Sequence, residues 1–166
     1  HDFGTLDGVS FIVLEFLEGE TLSKWMKKNK EPSLQRIIPW LEQVASALDY
    51  AHEHHIIHRD LKPANLMVVQ EGKSLKLLDF GIAKMDDVML TQTGMTVGTP
   101  SYMAPEQLLG ENVDARSDLY SVGVMLYEML SAKRMYNFGF DANTDLAELA
   151  DLVKRQTYPS FYELGI

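Results

Sequence analysis

The sequence predicts an α+β fold that is mostly helical, with a small amount of antiparallel β-structure. Four segments carry apolar residues at helical spacing, whereas only short runs have the β-branched and aromatic composition of strands. The chain has 166 residues, of which 46% are hydrophobic, and this is enough for one domain with its own core. A dominant parallel sheet is not expected.

The first predicted elements are a strand and a short helix. Residues 10–16 are rich in β-branched and aromatic side chains, and Gly19 then breaks the run. Thr21 can cap a helix that continues to Asn29, because its hydroxyl can accept a hydrogen bond from a free amide of the first turn. One face of this helix would carry Leu22, Trp25 and Met26.

A longer helix is predicted to begin at residues 31–33. Its apolar positions follow helical spacing, at Ile37, Leu41, Val44, Ala45 and Leu48. Pro39 interrupts this pattern, and a proline inside a helix removes one backbone hydrogen bond. We therefore expect either a kink at Pro39 or a helix that starts late.

The rest of the chain contains a hairpin, a long loop and two further helices. Residues 66–69 and 75–78 read as two strands joined by a Glu-Gly turn. Residues 84–98 show no periodicity, and a long loop inside a compact domain is usually functional. Residues 118–130 are apolar nearly all round, which predicts a buried helix, and residues 145–155 predict an amphipathic one.

The composition excludes several kinds of site. A net charge of -9 disfavours binding to nucleic acid or to an anionic membrane. The absence of cysteine excludes disulfides and thiolate metal sites, and is compatible with a reducing compartment. No apolar run approaches the length of a membrane span. Because His1 is not a natural start, we expect the chain to be a segment of a longer protein.

Four polar residues point to phosphoryl transfer. Asn65 and Asp79 offer an amide and a carboxylate oxygen, which suit Mg²⁺ bound together with phosphate oxygens. Lys62 can hold a phosphoryl group as a point charge. Asp60 is then available to orient a hydroxyl or accept its proton. Together these groups suggest transfer of a phosphoryl group from a nucleotide.

Three motifs carry a resemblance to a known family. Residues 58–65, His-Arg-Asp-Leu-Lys-Pro-Ala-Asn, resemble the catalytic loop of protein kinases. Residues 79–81, Asp-Phe-Gly, and 104–106, Ala-Pro-Glu, resemble the motifs that open and close the activation segment. The loop sequence and Gly-Thr-Pro-Ser-Tyr at residues 98–102 are similar to serine/threonine kinases, and Gly-Ile-Ala-Lys at residues 81–84 is similar to their bacterial branch.

The resemblance implies a role for each matching polar residue. Asp60 would be the catalytic base and Lys62 the contact to the γ-phosphate of ATP. Asn65 and Asp79 would bind Mg²⁺, with Mn²⁺ as an alternative ion. Thr99 would contact Asp60 and Lys62.

The same resemblance implies an adenine pocket. Leu14 would be the gatekeeper at its back, and Glu15 and Leu17 would offer backbone groups to the adenine edge. Met67 would form its floor, and Leu78 would add a further contact to the nucleotide.

Other matching positions would have structural or regulatory roles. His58 and Arg59 would shape the catalytic loop, and Asp118 would brace the backbone of their turn. Glu106 would pair with an arginine that lies further along in the family. Arg59 would help to hold a phosphorylated residue of the activation loop, for which the candidates are Thr91, Thr93 and, ranked below them, Thr96.

The resemblance also implies how the chain divides. Residues 1–17 would be a remnant of the small lobe, with two strands and the hinge, and residues 18–166 an incomplete large lobe. The glycine-rich loop and the strand lysine that grips the phosphates lie upstream of these positions in the family, and no Gly-x-Gly-x-x-Gly occurs here. We therefore expect residues 1–166 alone to be inactive, to bind ATP weakly and to self-associate through an exposed strand edge.

Several alternatives remain open at this point. The whole protein could be an active kinase acting on serine or threonine in proteins, located in the cytoplasm or in the cytoplasmic part of a membrane-anchored protein. It could instead be a pseudokinase-like or scaffold binding module, or a small-molecule phosphotransferase. A zinc site at His52, His54, His55 and His58 is disfavoured, because the zincin spacing is absent. His55 stands where the family often has glycine.

Overall fold

The computed structural model describes residues 2–30, 32–78, 100–136, 145–160 and 162–163. The strands in this part of the chain are β1 (Asp2–Leu6), β2 (Val9–Val13), β3 (Gly19–Thr21), β4 (Leu66–Val69) and β5 (Ser74–Leu77). The α-helices are α1 (Leu22–Lys28), α2 (Leu34–Glu53), α3 (Pro105–Leu108), α4 (Ala115–Ser131) and α5 (Leu146–Arg155). The mixture of helices with small antiparallel sheets confirms the predicted α+β class.

Strands β1 and β2 form an antiparallel hairpin with a tight turn. Asp7 and Gly8 both have positive φ, at 51° and 80°, as a two-residue hairpin turn of this kind requires. The predicted strand at residues 10–16 was too long, because β2 ends at Val13 and residues 14–18 have no regular structure. The hairpin side chains are largely exposed, including Phe3 and Ile12.

The short helix α1 begins as predicted. The Oγ1 of Thr21 accepts a hydrogen bond from the backbone N–H of Lys24 at 3.3 Å, so Thr21 caps the first turn. The helix ends at Lys28, one residue before the predicted end, and the N–H of Asn29 closes its last turn on the carbonyl of Trp25.

Helix α2 runs from Leu34 to Glu53 and continues through Pro39. Proline has no N–H to donate to the carbonyl of Gln35, four residues earlier. Both Gln35 and Pro39 are exposed, so water can hydrate that carbonyl. The late start that Pro39 suggested is therefore wrong.

The second sheet has the order β3-β4-β5 and is antiparallel throughout. It confirms the predicted hairpin, although β5 begins and ends one residue earlier than predicted. The strand β3 was not predicted, because Gly19 was interpreted only as a strand breaker. A Cβ on Gly19 would lie 2.2 Å from the carbonyl oxygen of Val68, so only glycine lets the two strands come this close.

The core lies between α1, α2, β4, α4 and α5. Trp25 of α1 and Trp40 of α2 pack edge to face with their ring centroids 4.8 Å apart. The indole N–H of Trp40 donates to the carbonyl of Gly72 at 3.2 Å, and the N–H of Leu75 donates to the side chain of Gln43 at 2.7 Å. These two hydrogen bonds therefore fix helix α2 to the β4-β5 hairpin.

Helix α4 differs from its prediction in start and in burial. It begins at Ala115 because the carboxylate of Asp114 accepts from the N–H of Arg116 and caps the first turn. The prediction of burial all round is wrong, since Leu119 is 57% exposed. The buried face also carries polar side chains, including Asp118 and Glu128. Helix α5 begins at Leu146, one residue after the predicted start, with Asp145 as its cap.

None of the helices in the described ranges is long and apolar enough to cross a membrane.

Candidate active site

A turn with left-handed backbone follows α2 and presents the polar loop. His55 has φ 60°, in the region that glycine favours and histidine tolerates better than most residues. The N–H of Ile56 donates to the carbonyl of Ala51 at 2.9 Å and ends the helix. Arg59 has φ 65°, a second left-handed position that is unfavourable for an arginine and needs support from its surroundings.

Asp118 supplies that support from the first turn of α4. Its two carboxylate oxygens accept from the backbone N–H groups of His58 and Arg59, each at 2.9 Å. A third hydrogen bond, at 2.8 Å, joins the carboxylate to the ring of His52 near the end of α2. Asp118 is 1% exposed, so these charge-assisted contacts form away from water. Helices α2 and α4 therefore hold the turn from both sides.

The residues after this turn form a compact polar cluster. The Nζ of Lys62 donates to the Oδ2 of Asp60 at 2.9 Å. The amide nitrogen of Asn65 donates to the same oxygen at 3.1 Å and to the backbone carbonyl of Asp60 at 2.8 Å. The side chains of Asp60 and Lys62 are 16% and 21% exposed, so the pair is partly shielded but open on one side. Two of the predicted site residues, Lys62 and Asn65, thus both lie within hydrogen-bond distance of a third, Asp60.

His58 links this cluster to the end of the β4-β5 hairpin. Its ring is fully buried, and Nε2 lies 2.9 Å from the carbonyl oxygen of Leu78. A carbonyl only accepts, so Nε2 carries a proton, while Nδ1 accepts from the N–H of Asp60 at 3.3 Å. The N–H of Leu78 also donates to the carbonyl of Asn65 at 2.9 Å. Leu78, the last described residue before Asp79, is therefore held directly beside the cluster.

Two of the residues predicted to bind adenine, Met67 and Glu15, are connected to the second sheet through Lys76. Met67 on β4 is half-buried and pairs with Lys76 on β5. The carboxylate of Glu15 accepts from the Nζ of that same Lys76, which brings the irregular segment after β2 beside the strands. Leu17 is half-buried, whereas Leu14 is 60% exposed.

The segment that ends in α3 packs against both the turn and α4. The amide of Gln107 donates to the carbonyl of Arg59 at 2.8 Å. The hydroxyl of Ser121 donates to the carbonyl of Tyr102 at 2.6 Å. Glu106 accepts from the hydroxyl of Ser117, which is its hydrogen-bond partner within the described residues. These contacts connect the Ala-Pro-Glu motif to the catalytic-loop motif.

A buried cluster at the end of α4 was missed by the sequence analysis. Glu128, with a side chain only 4% exposed, accepts from the hydroxyl of Tyr102 at 2.7 Å and faces the guanidinium of Arg134 at 3.5 Å. Burial and the charge of Glu128 raise the pKa of Tyr102 well above its usual range, so the phenol keeps its proton and donates it. A carboxylate inside an apolar helix was the signal available, because a buried charge requires partners.

Five of the predicted site residues lie outside the described residues. They are Asp79, Thr91, Thr93, Thr96 and Thr99. Their roles stay predictions.

The histidines do not form a metal site in the described part of the chain, where no group of three or more potential ligands occurs. His52 contacts Asp118, and His54 contacts the carbonyl of Tyr50.

The amide of Asn65 fits the predicted binding of Mg²⁺. Its nitrogen is committed to Asp60. The amide oxygen is therefore the atom that could contact a cation, and oxygen is the ligand that Mg²⁺ requires.

Comparisons with known proteins agree with this geometry. The protein kinase domain family matches residues 3–163. A probable serine/threonine-protein kinase of Clostridium acetobutylicum is 40% identical over 152 residues, which cover 91% of this chain and 23% of the relative. Serine/threonine-protein kinase Pkn1 of Myxococcus xanthus is 42% identical over 154 residues, or 90% of this chain and 21% of Pkn1.

A third relative is serine/threonine-protein kinase PknA of Mycobacterium tuberculosis, which is 42% identical over 142 residues. The match covers 82% of this chain and 33% of PknA. The chain thus spans a third or less of the length of these curated relatives. The motifs, the α+β fold and the match along nearly its whole length identify the chain as a member of the protein kinase domain family.

Proposed function

We propose that the protein containing this chain transfers the γ-phosphoryl group of ATP to serine or threonine hydroxyls of other proteins. The observation that carries the proposal is the contact of both Lys62 and Asn65 with one carboxylate oxygen of Asp60. The names of the similar bacterial proteins support it. A cytoplasmic location, where ATP is available, is part of the same proposal.

In this proposal Asp60 holds the incoming hydroxyl and accepts its proton as the new oxygen–phosphorus bond forms. Lys62 neutralises charge on the group being transferred, and ADP is the leaving product. Asn65 and Asp79 would hold the metal ion. When bound, ATP supplies the phosphoryl group, and Mg²⁺ or Mn²⁺ neutralises charge on its phosphates.

The brace from Asp118 supports this role through position. Asp60 directly follows Arg59, whose N–H is fixed by Asp118. A reacting group must be held within a fraction of an ångström of its productive position, and small displacements cost large factors in rate. The hydrogen bond from Gln107 to Arg59 holds the same turn from a second direction.

The adenine ring is proposed to bind beside the second sheet. Glu15 and Leu17 would contribute backbone groups, and Leu14, Met67 and Leu78 apolar contacts. The contact between Glu15 and Lys76, the strand partner of Met67, supports this arrangement.

The test is a set of three single substitutions in the full-length protein. Asp60→Asn should keep the local hydrogen bonds but lose the proton acceptor, so kcat for a peptide should fall by about a hundredfold or more while nucleotide binding is retained. Asp79→Asn should instead weaken the binding of Mg²⁺ with ATP. Asp49→Asn, an exposed position on α2, is the matched control and should change neither.

The readouts are peptide phosphorylation and calorimetric titration with Mg-ATP. Near-full activity of the Asp60 variant would refute the assignment of the base. A natural protein that binds peptide but phosphorylates none would favour the non-catalytic binding module instead.

A further inference from the structure

A cavity of about 320 Å³ lies between α1 and the end of α4. One wall is formed by the last turn of α1 and the residues after it, with Lys27 and Lys30. The opposite wall is formed by Glu128 and the residues after α4, with Lys133 and Arg134. None of these groups belongs to the proposed phosphoryl-transfer cluster.

The cavity has a surplus of positive charge, although the whole chain carries a net charge of -9. Among the described residues that line it, the one carboxylate is that of Glu128, which is buried and already contacts Tyr102 and Arg134. Among the described residues, the three lysines of the walls have no ion pair. Within the part of the chain that the structure describes, the walls therefore carry an excess of ammonium groups, which favours an anionic ligand.

The position of the cavity relates it to the substrate. Pro63 lines the cavity and directly follows Lys62, whose Nζ contacts Asp60. Tyr102, which also lines it, belongs to the segment that leads into α3. A peptide whose hydroxyl lies at Asp60 would extend its neighbouring residues across this surface.

We propose that this cavity binds an acidic residue of the protein substrate close to the phosphorylated serine or threonine. The chemistry is a carboxylate or a phosphate monoester that contacts Lys27, Lys30 and Lys133. This inference rests on the proposed function, since it names the class of substrate that the same site would prefer.

The experiment uses the full-length protein and matched peptides with one serine acceptor. Each flanking position in turn carries Glu, phosphoserine, Ala or Lys. Binding is measured by fluorescence anisotropy without nucleotide, and kcat/KM is measured with Mg-ATP. At one or more positions Glu should be preferred over Lys by about tenfold, through KM, because each exposed charge contact contributes a factor of about two to five. The ratio of kcat/KM for the Glu peptide to kcat/KM for the phosphoserine peptide identifies which anion the cavity prefers.

Charge reversal tests the lysines directly. The double variant Lys27→Glu with Lys133→Glu should abolish or reverse the preference, and Lys27→Gln with Lys133→Gln should reduce it. Both lysines are exposed, so the fold should tolerate these changes. Lys24→Glu, on the same helix but outside the cavity, should keep the preference of the natural protein.

The outcomes separate the two proposals. Phosphorylation of all peptides without an acidic preference, or a preference that the double variant retains, would overturn the inference and leave the kinase activity standing. Preferential binding of acidic peptides with no phosphorylation would support the inference and refute the proposed activity.

Discussion

Removal of the Asp118 carboxylate should release the turn that holds His58 and Arg59. In Asp118→Ala the backbone N–H of the buried His58 and that of the partly buried Arg59 lose their acceptor. An unsatisfied buried donor costs about 1–3 kcal/mol, so the two together cost about 2–6 kcal/mol. The left-handed backbone of Arg59 would add to the tendency of the turn to open.

Hydrogen exchange followed by mass spectrometry measures this opening directly. At a middle value of about 4 kcal/mol, exchange of the amides at residues 58–59 should accelerate about a thousandfold. Peptide phosphorylation should fall in parallel, because Asp60 follows the released turn. Asp118→Asn should have an intermediate effect, since its side chain keeps one oxygen acceptor and replaces the other with a donor.

Asp114→Ala is the matched control, because Asp114 is an aspartate of the same helix region that also accepts from a backbone N–H. Its side chain is 51% exposed, and loss of this helix cap should leave the turn at residues 58–59 unaffected. If Asp118→Ala changed exchange at residues 58–59 no more than Asp114→Ala does, the bracing role would be refuted.

Two further predictions concern regulation and the separate polypeptide. In the active full-length protein, mass spectrometry should find phosphate in the activation loop, on Thr91, Thr93 or Thr96. In the Arg59→Ala variant, removal of this phosphate by a phosphatase should no longer change the activity. An active protein with all three unmodified would contradict this. The polypeptide of residues 1–166, produced by itself, should bind Mg-ATP only weakly and should associate in light scattering, because the β1-β2 hairpin exposes apolar side chains. A monodisperse monomer with micromolar affinity for ATP would contradict both expectations.

The sequence predicted helix ends best where a residue next to the helix caps it. Thr21 caps its helix in the structure as its side chain suggests in the sequence, whereas the cap of α5 at Asp145 was not predicted. The start of α4 was placed too late because the prediction began at residue 118, whereas the helix begins after the cap at Asp114. The strand β3 could not be predicted, because the closeness of Gly19 to Val68 joins residues far apart in the chain.

The candidate site divides in a similar way. The motifs identified Asp60, Lys62 and Asn65, which are close in sequence and form one cluster. The pairing of Tyr102 with Glu128 spans 26 residues and follows no periodic pattern, so it was missed. This pairing also changes how the charge of the cavity is interpreted. From the sequence alone Glu128 is an anionic residue, whereas in the structure its carboxylate is already paired with Tyr102 and Arg134.

The packing of Trp25 against Trp40 has a spectroscopic consequence. The chain contains two tryptophans, and both lie in the core between α1 and α2, at 7% and 1% exposure. Their emission should be shifted to short wavelength, and their coupled rings should give a strong near-ultraviolet dichroism signal. Both indoles are absent from the proposed catalytic cluster. Their signals from this part of the protein would therefore follow the melting of its core and stay nearly constant during nucleotide titration.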